Sequence, residues 1–359
     1  MDINVATPAC TPTTKGVTEE DTTLVCVAVH CETHDVKTFT FASANGKAFT
    51  FAAGQYFTFD LVIEGQPQVR CYSISSSPHH TKTFSITVKR VVGGKASNWL
   101  HDHLETGATL TANGPFGIFT RPQPAGRKLL MLSGGSGITP MMSMLRDIAD
   151  SYDPSDVVFI HAARTPQDII FHDELLWYSS RLEGLRLYWL PEQLTRASDW
   201  QGFTGRLSAA FLSLAVPDIA ERVVLCCGPA PFMAAARNFA TQLGVHADDY
   251  REERFDAPVD DQPQGLTLPT GRRVFQVSFS KQSRCIEVDS ASTILSAAKR
   301  QGVFLPSSCA NGVCGSCKSK LLAGTVDMQH LGGIRQREID AGFFLPCCSR
   351  PLSDVVIDR

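Results

Sequence analysis

Four cysteines carry the densest chemistry in this 359-residue chain. Cys309, Cys314 and Cys317 follow the spacing C-x4-C-x2-C within CANGVCGSC, and 29 residues separate Cys317 from Cys347. Thiolates this close can converge on metal. Gly312 and Gly315 permit the positive φ angles that a tight loop needs to turn its N–H groups toward sulfur. Zinc is the competing reading, but zinc loops usually pair one C-x2-C with a second one or with two histidines. Neither accompanies these cysteines. In a reducing compartment, clustered thiols bind metal or do redox chemistry more often than they form disulfides.

Two further stretches suit phosphate binding. LLMLSGGSGITPMMSML, residues 129–145, is an apolar run, a glycine turn and a segment with helical spacing. Glycines there let the backbone approach a pyrophosphate, which then meets the positive end of the helix dipole and its free N–H groups. GGKASNWL, residues 93–100, repeats the idea with glycines before a helix start. Upstream of it, RCYSISS at 70–76 alternates a cation, an aromatic ring and hydroxyls, which sets Arg70 and Tyr72 on one strand face and Ser73 on the other. Taken alone, that segment is an ordinary strand with a surface arginine.

The elements that must hold these residues change character along the chain. Residues 1–23 contain seven threonines with no apolar periodicity and are expected to form a solvated arm. From 24 to 122, alternating runs such as LVCVAVHCE and TFSITVKRV between Gly, Pro and Ser turns predict an antiparallel β-barrel. From 123 to 255, the compact runs LLMLS, VVFIHAA, LRLYWL and VVLCCG separated by helical stretches predict a parallel α/β domain. Residues 256–272 are rich in Pro and Gly and read as a linker. Residues 273–359 then carry strands, one helix and the cysteine loop. The fold class is therefore multidomain, all-β followed by α/β and a small cysteine-bearing domain.

Charge and length exclude other classes. The net charge of −3 gives no basis for nucleic-acid or membrane-surface binding. No run of eighteen apolar residues occurs, and MDINVATPACTPTTKG lacks the regions of a signal peptide, so a cytoplasmic protein is expected. The balance is uneven: residues 273–359 hold 11 Lys+Arg against 7 Asp+Glu, while the rest hold 22 against 29.

The cysteine spacing, together with LPCCSRP, resembles the plant-type ferredoxin domain, a β-grasp that carries a 2Fe-2S cluster. By that resemblance Cys309, Cys314, Cys317 and Cys347 are the ligands, with Cys347 preferred to Cys348 because it stands four residues before Pro351. RCYSISS, GGKASNWL, AGQY at 53–56 and GPFG at 114–117 resemble the flavin domain of the ferredoxin reductase superfamily. The resemblance implies that Arg70 holds the flavin phosphate, that Tyr72 lies on the isoalloxazine and that Ser73 bonds its reactive edge. Gly94, Lys95, Ala96 and Ser97 would meet a pyrophosphate, which favours FAD over FMN.

GGSGITP resembles the nicotinamide-binding motif of the same superfamily, placing Gly134, Gly135, Gly137, Thr139 and Pro140 at the dinucleotide. CCGPAPFM resembles its CGP motif, placing Cys227, Gly228 and Pro229 beside the nicotinamide. EERF resembles its closing E-x-F, with Phe255 near the flavin or closing the domain core. Arg164, after VVFIHAA, would take the extra phosphate of NADPH or form a surface ion pair. ARTPQDIIFHDEL resembles NADH-using relatives, so NADH is expected in preference to NADPH.

A hydride carries two electrons and a 2Fe-2S cluster accepts one at a time, a mismatch that a flavin bridges. The resemblance therefore implies an oxidoreductase that passes electrons from NADH through FAD and the cluster to a separate oxygenase component. HLGGIRQREIDAGFFLPCCSRP, residues 330–351, resembles reductase components of Rieske-type oxygenases that demethylate glycine betaine. The reductase of hybrid-cluster protein or of another monooxygenase is the alternative. Outside enzymes, the cluster would serve a redox-sensing regulator.

Overall fold

The computed structural model describes residues 22–194, 199–255 and, within 273–359, all but 306, 308–311, 313, 314, 316, 331–333 and 335. The described residues form two compact units. The expected linker 256–272 lies outside them, as does the expected arm except for Thr22 and Thr23. Those two threonines are strand, paired with Ala112 and Thr111.

The larger unit begins with six antiparallel strands. These are β1 (Thr22–Thr33), β2 (Val36–Ser43), β3 (Tyr56–Ile63), β4 (Gln66–Ser73), β5 (Thr83–Lys89) and β6 (Thr109–Phe116), in the order β4-β3-β6-β1-β2-β5. An Ile74–Ile86 bridge links the two edges and closes the sheet into a barrel. Alternation drives this arrangement: Phe39 and Phe41 of β2 and Phe57 and Phe59 of β3 point inward, where Phe57 stacks on Phe84 at 4.3 Å. Helix α1 (Lys95–His103) covers one end through Ala96 and Leu100.

A parallel sheet follows: β7 (Lys128–Gly134), α2 (Ile138–Asp150), β8 (Asp156–Ala163), α3 (His172–Ser179), β9 (Leu185–Pro191), α4 (Ala209–Ala215), β10 (Val223–Cys227), α5 (Ala230–Gln242) and β11 (Tyr250–Glu253). The strand order is β11-β10-β7-β8-β9. Helices cover both faces, so β7, β8 and β10 are almost continuously apolar. One face packs on α2 and α3, and Val36, Ala53 and Phe119 of the barrel join that core. The other packs on α4 and α5. At the amino ends of the strands, fully buried Arg222 is held by Asp156 and Asp218 at 2.8 Å each and donates to the Leu129 carbonyl at 3.2 Å.

The smaller unit contains β12 (Val274–Phe279), β13 (Arg284–Asp289), α6 (Ile294–Arg300), β14 (Ser319–Ala323), β15 (Val326–Met328), α7 (Gln336–Asp340), β16 (Phe343–Phe344), β17 (Ser349–Pro351) and β18 (Val355–Ile357). Its mixed sheet has the order β13-β12-β18-β14-β16, with β12 and β18 parallel. Helix α6 lays Ile294, Ala297 and Ala298 on Val277, Val288 and Ile357. The Thr293 hydroxyl starts the helix by accepting from the Ser296 N–H, while Lys299 and Arg300 sit favourably in its last turn. Among the described residues, no helix is long and apolar enough to cross a membrane.

Candidate functional site

Strand order fixes where a nucleotide can enter the parallel sheet. The chain runs outward from β7 to β9 and then returns to β10 on the other side of β7, so the switch point lies between β7 and β10. Open α/β sheets bind ligands outside the carboxyl ends of their strands at such a crevice. Gly134 ends β7 there, and Cys227 ends β10. The two loops touch: a Cβ on Gly137 would overlap the Cys227 carbonyl and stand 2.6 Å from the Gly228 nitrogen, and one on Gly228 would stand 3.0 Å from the Gly134 nitrogen. Glycine is required at both positions because the backbones themselves are in contact.

Helix α2 begins directly after this turn with no side-chain cap; its first N–H, that of Ile138, donates back to the Gly135 carbonyl, and the positive end of the helix dipole faces the turn, where an anion would be favoured. A Cβ on Gly135 would meet only open space. Thr139 secures the turn by donating to the Ser136 carbonyl at 3.1 Å, and Pro140 fits the first helical turn, where no N–H is needed. Pro229 caps α5. The arrangement suits a dinucleotide pyrophosphate.

The barrel supplies the opposite wall of the seam. Ser143 of α2 donates to the Ser76 carbonyl at 2.8 Å, and Arg146 donates to the Ser75 carbonyl. His79 Nε2 meets Asp147 of α2 at 3.1 Å. Ser73, the last residue of β4, donates from Oγ to Glu253 Oε2 at 3.1 Å. Glu253 is in register with Cys227 across β10 and β11. Burial pushes the Glu253 carboxyl up to about 8, against a small lowering from the Ser73 hydrogen bond. Ser73, Glu253 and Cys227 thus meet at one point.

The other sequence-predicted residues line up along the barrel. Arg70 and Tyr72 are half-buried on β4, and Tyr72 packs edge-on against Phe59 at 5.8 Å. Burial raises the Tyr72 hydroxyl well above its ordinary value. Gly94 is the N-cap of α1 and offers no side-chain cap, Lys95 is exposed, and Ala96 and Ser97 are buried in the first turn. The Ser97 hydroxyl accepts from the Val91 N–H at 3.1 Å, which shapes the approach to that uncapped end. Phe255 is 40% exposed, so it is not part of a domain-closing core. Arg164 is bound to Asp168 at 2.6 Å and Asp35 at 2.9 Å. Glu253 was not anticipated as a site residue, because it gains its place from a partner 180 residues away.

In the smaller unit, Cys317 and Cys347 are buried with their sulfurs 3.1 Å apart, close enough to share one metal ion. Cys309 and Cys314 lie outside the described residues. The Cys348 sulfur instead donates to the Leu345 carbonyl at 3.6 Å. Gly312 has φ +79°, and a Cβ there would stand 3.0 Å from His330 Cα. Paired soft thiolates beside a glycine-lined turn suit iron bound through sulfur.

Comparisons with known proteins agree with these three centres. Residues 24–120 match the oxidoreductase FAD-binding domain, 131–238 the oxidoreductase NAD-binding domain and 278–352 the 2Fe-2S iron-sulfur cluster binding domain. A glycine betaine monooxygenase reductase subunit of Pseudomonas aeruginosa is 40% identical over 344 residues, covering 93% of this chain and 94% of the relative. A stachydrine N-demethylase reductase subunit of Rhizobium meliloti is 38% identical over 341 residues, covering 93% and 96%. A solved structure of phthalate dioxygenase reductase shares the fold, with a TM-score of 0.59 and 24% identity, covering 94% of this chain and 98% of that one. The expected fold class and the cofactors FAD, NADH and 2Fe-2S are borne out. The chain is an oxidoreductase and belongs to the ferredoxin reductase superfamily, in the branch that joins FAD- and NAD-binding domains to a C-terminal 2Fe-2S ferredoxin domain.

Proposed function

We propose that this chain is the NADH-dependent reductase of an oxygenase that demethylates glycine betaine or a related quaternary ammonium compound. The meeting of Ser73, Glu253 and Cys227 at the seam of barrel and parallel sheet carries the reductase part. Similarity to two demethylating systems over 93% of the chain supports the partner. The reading divides the chain at 24–122, 123–255 and 273–359, with 256–272 as linker.

When bound, FAD and the cluster supply the exchange between two-electron and one-electron chemistry. The protein's residues orient the reactants. Arg70 holds the flavin phosphate, Tyr72 covers the isoalloxazine, and the α1 terminus at Gly94, Lys95, Ala96 and Ser97 takes the pyrophosphate. Gly134, Gly135, Gly137, Thr139 and Pro140 seat the nicotinamide dinucleotide, while Cys227, Gly228 and Pro229 form the wall against its reacting ring. Ser73 and Glu253 hold a proton next to the flavin edge, since a carboxyl titrating near 8 is largely protonated at neutral pH. Phe255 covers the flavin from its exposed position. Cys309, Cys314, Cys317 and Cys347 hold the cluster. We place the reaction in the cytoplasm, where the reducing milieu keeps such thiols free.

The test mixes this protein with a Rieske-type oxygenase component, glycine betaine and NADH. Formaldehyde release only in the complete mixture supports the whole reading. Sustained NADH-driven reduction of cytochrome without formaldehyde keeps the reductase and replaces the partner, for instance by hybrid-cluster protein. A single reduction without sustained flux overturns it in favour of a redox sensor.

A further inference from the structure

Five residues stand in register across the parallel sheet near its carboxyl end: Glu253 of β11, Cys227 of β10, Ser133 of β7, His161 of β8 and Trp189 of β9. Neighbours in register share a face of the sheet and lie about 4.8 Å apart. This is the face that packs on α2. Two residues earlier, it carries Leu225, Met131, Phe159 and Leu187, all apolar. On these strands the face turns polar only in the row that borders the nucleotide loops.

Packing alone does not account for His161. It is fully buried, with its ring edge-on to Trp189 at 6.3 Å. Its Nδ1 lies 2.8 Å from Ser133 Oγ. The Ser133 hydroxyl can itself donate to the Ile160 carbonyl at 3.5 Å, which leaves Oγ to accept from the ring. Among the described residues, Nε2 has no hydrogen-bond partner. Burial first, and then the charge of Lys89, push the imidazole down to about 3, so it is neutral at working pH. A buried polar atom without a partner is costly. An apolar side chain such as that of Phe159 would avoid the cost, but it would also lose the bond from Nδ1 to Ser133.

Ser133 occupies a sensitive place. It stands between His161 and Cys227 in the row, and it directly precedes Gly134, whose nitrogen would stand 3.0 Å from a Cβ on Gly228. A shift of Ser133 would therefore reach both the Cys227 side and the contact between the two loops.

We propose that His161 is a positioning residue for the nicotinamide: through its Nδ1 bond to Ser133 it fixes the end of β7, against which Cys227 and the dinucleotide turn hold the reacting ring. It acts through Ser133 and moves no proton. The inference rests on the nucleotide site proposed above.

The test compares wild type with H161F, H161N, H161Q and S133A/H161F in the FAD- and cluster-loaded protein. H161F is expected to lower kcat for NADH-driven dye reduction about tenfold, less than the roughly 10²-fold that a 1 Å misplacement can cost. KM should change little, because alignment is gained in the transition state rather than in binding. The loss should be the same at pH 6 and pH 8. Thermal unfolding of H161F should be level with wild type or higher, since an unpaired buried nitrogen has been removed, so activity and stability part company. H161N places its amide where the imidazole has Nδ1 and should rescue most of the loss, whereas H161Q reaches only the place of Nε2 and should not. S133A/H161F should lose no more than H161F, because both changes break one bond. Unchanged kcat in H161F, equal rescue by H161N and H161Q, a loss confined to one pH, or a loss that matches the unfolded fraction would each overturn the proposal. H161L is the second variant should H161F fail to fold. Failure of wild type to accept electrons from NADH would instead sink the nucleotide site itself.

Discussion

Ser73 and Glu253, 180 residues apart, share a buried 3.1 Å hydrogen bond that joins the end of the barrel's β4 to the last strand of the parallel sheet. Among the described residues no charged group shifts Glu253, and burial drives its carboxyl up to about 8 against the lowering hydrogen bond from Ser73. The sign for stability follows. Between its ordinary value of 4.5 and about 8, the folded chain keeps a proton that the unfolded chain has lost. Stability from this group is complete below 4.5 and falls as pH rises through that window, at about 1.4 kcal/mol per pH unit. E253Q removes the slope. Thermal unfolding of wild type and E253Q from pH 5 to 9 should diverge with rising pH, the variant becoming relatively more stable. Parallel curves would show that Glu253 is ionised when buried.

The same pair should act in electron entry. S73A leaves Glu253 buried without its donor, and the loss of an orienting hydrogen bond is expected to lower kcat for NADH-driven dye reduction on the order of 100-fold, the low end of the roughly 10²–10⁴-fold that positioned proton-handling groups contribute. Reduction by dithionite should be unaffected, because it needs no alignment of nicotinamide and flavin. Equal loss with both reductants would assign Ser73 to flavin retention instead.

Contact between the two nucleotide loops makes Gly137 a sensitive position. Alanine there would push its methyl into the Cys227 carbonyl and to 2.6 Å from the Gly228 nitrogen. Neither backbone atom can rotate away, so G137A is expected to cost about 1–3 kcal/mol of stability. NADH-driven reduction should fall well beyond what the unfolded fraction explains, because the crevice between β7 and β10 is forced open. Denaturation and nucleotide titration on one preparation separate the two effects.

Much of this was legible in the sequence because the responsible signals are local. The run LLMLS, its glycines and the 3.6-residue spacing of PMMSML are contiguous, and they became β7 and α2. The antiparallel barrel followed from alternation in segments such as β2 and β5, and the cysteine spacing is a local count. What stayed hidden depends on pairing at long range. EERF names a motif, but only the register of β11 on β10 puts Glu253 beside Cys227 and opposite Ser73. Asp35 is an ordinary hairpin-turn residue until the barrel brings it to Arg164. The short ribbon of β15 and β17 leaves too few residues for any periodicity.

Geometry bears on the choice between adjacent cysteines. The Cys347 sulfur faces Cys317 at 3.1 Å, whereas the Cys348 sulfur is turned to the Leu345 carbonyl. C347S is expected to lose the cluster, read as iron and acid-labile sulfide per chain and as visible absorbance, because a hydroxyl is a poor ligand for iron held by sulfur. C348S should keep wild-type iron content. Flavin content should stay unchanged in both, since the larger unit has its own core. Iron loss in C348S with retention in C347S would exchange their roles.

Charge asymmetry bears on the acceptor. The cluster-bearing segment 273–359 holds 11 Lys+Arg against 7 Asp+Glu, whereas the rest of the chain holds 22 against 29. Electron-transfer contacts are small and short-lived, so their encounter rate depends on long-range attraction more than on buried area. A net positive segment is expected to be drawn to an acidic face on the oxygenase. Raising salt shortens the screening length from about 10 Å at 0.1 M to about 3 Å at 1 M, which removes that attraction. Turnover with subsaturating oxygenase should therefore fall with salt, while reduction of a neutral dye by NADH stays level. A flat response with both acceptors would mean that shape and apolar contact, rather than charge, bring the partner to the cluster.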